Sequence, residues 1–179
     1  MGKDKINIHN MTVISMFSAL TVIGAFLSIP FSPVPISLQS LFVLLSGMVL
    51  GSKNGAISQL LYIFLGAIGL PVFSGFKGGL GILFGPTGGF LFGFVVSSYI
   101  VGKIIENCRK INILYYFITG LLGALIYYLI GIPQLLLITQ IGIKESIMVG
   151  VMPFLIGDIL KVLIASIIAV RIKFILELK

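Results

Sequence analysis

The chain has 179 residues, of which 58% are hydrophobic and only 9% charged, and its mean hydropathy is +1.20. A water-soluble domain keeps about 25% of its residues charged to solvate its surface, so this composition excludes one and requires a surface that faces lipid. The net charge of +7 would suggest nucleic acid in a soluble protein; here it reads as an asymmetry of cations between membrane loops, and nucleic acid is not an expected partner.

Asp, Glu, Lys and Arg are absent from residues 6–52, 54–76, 78–102 and 111–143. Each stretch accommodates one span of about 20 residues, and the first accommodates two. The pattern predicts an all-α integral membrane protein of six transmembrane helices, forming a single transmembrane domain over residues 1–179. Lys3 and Lys5 ahead of an apolar run resemble a signal peptide, but no small-residue cleavage pattern follows, so residues 11–29 read as a retained span.

The first helix is expected over about 10–29 and must stop where Pro30, Pro33 and Pro35 remove backbone donors and impose extended geometry. The second is expected over about 36–50, turning at Gly51 to Gly55 into a third over about 56–70 that ends at Pro71. Gly75, Gly78, Gly79, Gly81 and Gly85 then predict an irregular segment buried in protein or lining a cavity, because glycine wastes stability in a lipid-facing helix. A fourth helix covers about 87–105, and a fifth about 113–130, closed by Gly131 and Pro133. Residues 135–142 suit a short interfacial helix, and the sixth span begins near Pro153 and runs over about 153–176.

With both termini in the cytoplasm, this arrangement puts Lys3, Lys5, Lys53, Lys103, Arg109, Lys110, Arg171, Lys173 and Lys179 inside and only Lys77 and Lys144 outside, which is the orientation the positive-inside rule favours. The single cysteine, Cys108, cannot form an internal disulfide, and with His9 the only histidine no metal site of the usual ligand count can be assembled.

Asp158 and Lys161 are the exception within the spans. Three apart on a helix, they project from one face, and about ten residues, roughly 15 Å, separate Lys161 from Arg171. A charge in the bilayer costs about 2.5 kcal/mol or more, so such residues usually mark a ligand site or pathway. The competing reading is a self-neutralising pair that orients the last helix. Gln39 should face protein or a ligand. Tyr127 and Tyr128 fit either a pocket or an interfacial aromatic belt, with the belt expected for at least one. Ser15 and Ala19, spaced small-xxx-small, allow close approach of another helix. The run Gly85-Pro86-Thr87-Gly88-Gly89 lacks the Lys-Ser/Thr of a Walker A loop, so this chain should not hydrolyse ATP by that route. No nucleophile with a base, metal set or cofactor motif is present, and an enzyme ranks last among the readings.

Pro33-Val34-Pro35-Ile36 running to Gln39, Gly69-Leu70-Pro71-Val72-Phe73, the Gly78-Gly79 pair, Gly85-Pro86-Thr87-Gly88-Gly89-Phe90, and Gly157-Asp158 with Lys161 occur in order over most of the chain. Together they resemble the BioY family, the biotin-specific S component of energy-coupling factor (ECF) transporters. The resemblance implies a six-helix S-component bundle in the cytoplasmic membrane. It implies a biotin site near the outer face, closed by the loops after the first and third helices and by the ends of the fourth to sixth. It also implies a membrane coupling subunit and two cytoplasmic ATPases as partners, with no cofactor in this chain and ATP hydrolysed by those partners.

The family's docking surface is a small-residue face of the first helix, normally Ala-xxx-Ala, for which Ser15 and Ala19 are the nearest match. The expected substrate-binding residues are Gln39, Phe73, Lys77, Gly78, Tyr127, Asp158 and Lys161. Ionised Asp158 would accept from a ureido N–H, Lys161 would donate to the carbonyl, Gln39 could do either, and Phe73 and Tyr127 would wrap the apolar part. Members of the family carry Asn before the Gly-Gly pair and Arg after the aromatic residue of the GPTGG motif, where this chain has Lys77 and Leu91. Leu91 cannot hold a carboxylate; Lys77 is the substitute that position offers. The remaining alternatives are an S component for another vitamin and a self-sufficient ion-coupled carrier with Asp158 as proton relay.

Overall fold

A computed structural model describes residues 8–108 and 111–177. Lys3, Lys5, Arg109, Lys110 and Lys179 of the expected cation asymmetry lie outside the described residues.

Helix α1, Ile8–Phe26, ends three residues short of its expected terminus. Ser28–Ile29 (β1) pairs antiparallel with Ile36–Ser37 (β2), in the register Ser28↔Ser37 and Ile29↔Ile36. The cause is local: each residue ahead of a proline is pushed out of helical geometry, and the short ladder then satisfies backbone groups that could not go unpaired in a bilayer.

Helix α2, Gln39–Ala67, joins the expected second and third helices, with only Gly51 (φ 80°, ψ −177°) outside helical geometry. The chain doubles back there: Gln39 bonds Tyr62 and Gln59 bonds Ser46, contacts possible only between antiparallel arms. The expected five-residue turn is thus compressed to a single residue that needs a positive φ. Glu106, from the end of α4 (Gly88–Glu106), closes the turn; its carboxylate accepts from the Ser52 N–H at 2.7 Å and the Ser52 hydroxyl at 2.9 Å, capping the second arm.

Close packing of α2 on α4 follows from small residues. A Cβ at Gly47 would lie 2.4 Å from the Ser98 carbonyl oxygen, and one at Gly102 would lie 2.4 Å from the Ser52 nitrogen. The glycine-rich segment is irregular as expected, apart from one helical turn, α3, Leu80–Leu83.

Helix α5, Ile113–Thr139, is capped by the Asn112 side chain, which accepts from the Leu114 N–H at 2.9 Å. It does not close at Gly131 and Pro133. It runs on through Pro133 and ends at Gln140 in left-handed geometry, absorbing most of the expected interfacial helix. Proline removes one helical hydrogen bond, but Leu135 is fully buried and Gln134 donates to the Leu83 and Gly85 carbonyls at 2.8 and 2.9 Å, so tertiary contacts hold the turn beyond it.

The short helix appears later, as α6, Ile143–Gly150. After a turn that contains Pro153, α7 runs over Leu155–Glu177, two residues after the expected start, at 50° to α6. Four helices are long and apolar enough to span a membrane, and α6 with α7 forms a fifth, bent, candidate. Because α2 doubles back at Gly51, the bundle makes six passes.

Candidate functional site

A cavity of about 350 Å³ opens at the end of the bundle opposite the Gly51 turn. It falls within the roughly 300–1,000 Å³ range usual for small-molecule sites. Its floor is built from α7, α5 and the start of α2, and its rim from the β1–β2 loop and the segments around Phe73 and Pro86.

On the floor, Lys161 bonds Asp158 at 2.8 Å, one helical turn away, and both side chains are only 8% exposed. Two lone buried charges would each cost several kcal/mol, so the pair persists because it is neutral overall and hydrogen-bonded to its neighbours. Asp158 Oδ1 accepts from Lys161 and, at 3.3 Å, from Ser40; Oδ2 accepts from Tyr127 at 2.6 Å and from Tyr128. Those four donors fill the roughly four acceptor positions of a carboxylate. Lys161 also donates to Ser40 at 3.3 Å, leaving one of an ammonium's three N–H bonds for the cavity.

Both tyrosines therefore turn inward, and the expected interfacial belt is not formed at either position. Phe94 and Phe90 meet them edge-on, at 5.6 Å from Tyr127 and 6.3 Å from Tyr128.

Gln39 is used mostly by the protein. Its Oε1 accepts from Ser37 and Ser74, each at 2.8 Å, and its amide donates to Tyr62, whose hydroxyl reaches the Val72 carbonyl at 3.3 Å. One glutamine thus ties β2 to the segment after α2, and one of its amide N–H bonds remains. Phe73 is buried against Gly66, where a Cβ would lie 2.0 Å from its ring, and it meets Tyr62 edge-on at 5.5 Å.

Gln39, Phe73, Lys77, Tyr127, Asp158 and Lys161 all line this cavity. Gly78 does not; it is exposed, and a Cβ there would come within 2.3 Å of the Leu70 carbonyl oxygen, so it sets how closely the loop lies on the end of α2. Ser15 and Ala19 lie exposed on α1, apart from the cavity. Leu91 is 5% exposed and lines the wall.

Ser40, Ser74, Phe90, Phe94 and Phe154, outside the expected set, also line the cavity, as does Tyr128, for which pocket and belt were both open on sequence. Phe90 and Phe94 stand four apart on α4 and carried a signal, since that spacing places two rings on one face. Ser40 carried none, because serine is ordinary in a membrane helix.

A family model described as the BioY family matches residues 1–177. A protein of Thermotoga maritima named biotin transporter BioY is 44% identical over 158 residues, covering 88% of this chain and 92% of the relative. A probable biotin transporter BioY of Pyrococcus horikoshii is 40% identical, covering 91% and 95%. The crystal structure of the S-component for biotin from an ECF-type ABC transporter superposes with a TM-score of 0.86 at 28% identity, covering 97% of this chain and 95% of that one.

Proposed function

Because this chain belongs to the BioY family, we propose that its cavity binds biotin and that the protein serves biotin uptake as the S component of an ECF transporter. The observation that carries the reading is the buried Asp158–Lys161 pair at the floor of the cavity, with one ammonium N–H left over.

Biotin's ureido group presents a carbonyl acceptor beside N–H donors. The carbonyl takes the free N–H of Lys161, and a neighbouring ureido N–H takes the place of Ser40, the longest of the contacts on Asp158, at 3.3 Å. Phe73, Phe90, Phe94 and Phe154 supply apolar surface for the bicycle and the valeryl chain. Gln39 acts on the ligand mainly by holding the two rim segments together.

The chain is a multi-pass membrane protein, and transport needs a source of energy that its residues do not supply. We assign that role to a membrane coupling subunit and two cytoplasmic ATPases, so that ATP is hydrolysed by partners and this chain carries no cofactor. The exposed Ser15–Ala19 face of α1 is the proposed docking surface, because small side chains let another helix approach closely. Lys53, Lys103 and Lys173 belong to the bundle end that holds Glu106 and the Gly51 turn, opposite the cavity. This supports cytoplasmic termini, in the cytoplasmic membrane, with the cavity opening outward.

Titration of the purified protein with labelled biotin, competed by desthiobiotin, thiamine and riboflavin, tests the substrate. Desthiobiotin, which keeps the ureido ring, is expected to compete, whereas thiamine and riboflavin are not. Preferential displacement by either of the latter would transfer the site to a different vitamin.

A further inference from the structure

Helix α7 carries a cation on the face it turns to lipid. Asp158, Lys161, Val162, Ala165, Ser166 and Ala169 are buried against the bundle, and the opposite face runs through Leu160, Ile164, Arg171 and Ile175, all exposed. The surface stays apolar beyond Arg171: Phe174 and Ile175 are 57% and 59% exposed, about 5 Å further along the helix. A guanidinium with apolar surface on both sides of it lies where hydrocarbon gives way to headgroups, not in bulk water.

Beside Arg171 is a groove of about 350 Å³ between α7 and the residues entering α5. Ile111 and Val170 pack on the core beneath it, and Phe174 and Ile175 wall it. Arg171 brings the groove its charge and has no acidic partner within ion-pair distance among the described side chains. The Glu106 carboxylate at the same bundle end accepts from the Ser52 N–H and hydroxyl, and Lys103 and Lys173 already act on it electrostatically.

We propose that this groove binds one anionic phospholipid, with the Arg171 guanidinium on its phosphodiester, the glycerol against Phe174 and Ile175, and an acyl chain running back along Ile168 and Ile164. The planar fork of arginine meets two phosphate oxygens at once, and the apolar walls lose exposed surface only to a ligand that brings hydrocarbon with its charge. The cations Lys53, Lys103 and Lys173 at this end disfavour a headgroup with its own ammonium, so the class is a phospholipid of net negative charge, such as phosphatidylglycerol. With the orientation proposed for the chain, this is the cytoplasmic leaflet; the binding itself depends on neither that orientation nor the biotin reading.

Delipidated wild type, Arg171→Gln, Arg171→Lys, Phe174→Ser and the control Lys53→Gln should be titrated in detergent with dioleoylphosphatidylglycerol, dioleoylphosphatidylcholine and inorganic phosphate. Native mass spectrometry counts bound lipid, and thermal melting without lipid confirms the fold of each variant. Lys53 is exposed at the same bundle end and lies outside the groove. The wild type is expected to retain one phosphatidylglycerol, with phosphatidylcholine about fivefold weaker and phosphate without effect. Arg171→Gln should weaken phosphatidylglycerol about tenfold, Arg171→Lys by less, and Lys53→Gln by no more than about twofold. Phe174→Ser strips a wall while keeping every charge, and should weaken it about threefold.

Equal weakening by Arg171→Gln and Lys53→Gln would overturn the proposal by reducing the effect to general surface charge. Equal binding of the two lipids would overturn the anionic class, and displacement of lipid by phosphate would make Arg171 a site for free anions. Unchanged lipid binding in Arg171→Gln and Phe174→Ser would overturn it outright, and loss of co-purification with the coupling subunit in those variants would give the groove to that protein instead.

Discussion

Two buried polar clusters share this bundle and are built on opposite terms. Around Gln59, which is 0% exposed, the amide nitrogen lies 3.1 Å from Ser46, 3.2 Å from Ser58 and 3.3 Å from Thr21, and Ser46 in turn bonds Ser98 at 2.9 Å. That cluster is neutral, links α1, both arms of α2, and α4, and borders no part of the cavity. Around Asp158 the groups are charged, come from α2, α5 and α7, and face the cavity with an ammonium N–H unspent. Both clusters are almost wholly buried, so burial of polar groups does not by itself indicate function. Access to a cavity and an unused hydrogen-bonding valence separate the proposed binding cluster from the scaffolding one.

The largest effect that would break this contrast is expected at Asp158. Asp158→Asn leaves the Lys161 ammonium buried without its counter-charge, a situation that costs about 3–5 kcal/mol, and melting temperature and biotin affinity should fall together. Adding Lys161→Met removes the orphaned charge and should recover most of the stability. Affinity should stay reduced by roughly 10- to 150-fold, because the charge-assisted bonds to the ureido group are gone. A well-folded double variant with near-normal biotin binding would reduce this cluster to scaffolding as well.

A smaller change is expected at Gln59. Gln59→Leu removes the amide's bonds to Ser46 and Thr21, whose hydroxyls keep the Val43 and Phe17 carbonyls as partners, and should destabilise the protein by about 0.5–1.5 kcal/mol in chemical or thermal denaturation. Biotin affinity of the folded protein should remain within about twofold of the wild type, since distant sites without shared partners behave nearly independently. A tenfold loss would show that the two clusters act as one. The smallest effect on the isolated protein is expected at the exposed face of α1: Ser15→Trp or Ala19→Trp should leave stability and affinity unchanged yet abolish co-purification with the coupling subunit and ATPases. Survival of the complex in both variants would move the docking surface elsewhere.

Much of this was legible in the residues because the free energies concerned are local and large. Long charge-free stretches have no stable home in water, and a charged pair inside one has few homes in lipid, so the membrane class, the six passes and the inward-facing pairing of Asp158 and Lys161 follow from sequence. The irregular geometry of the glycine-rich segment follows for the same reason.

What only the tertiary structure decided was orientation and continuity. When a helix is apolar all round, periodicity cannot say which side faces lipid. Tyr127 and Tyr128 turn inward only because Asp158 waits on another helix, and Gly78 lies outside the cavity because Leu70 packs beneath it. Likewise Pro133 should end a helix on intrinsic preference, yet Gln134 and the buried Leu135 carry α5 past it, and the turn at Gly51 tightens to one residue because Glu106 arrives from α4 to cap it. In each case a partner distant in sequence supplies the hydrogen bond or contact that settles the outcome, and no local propensity encodes that partner's arrival.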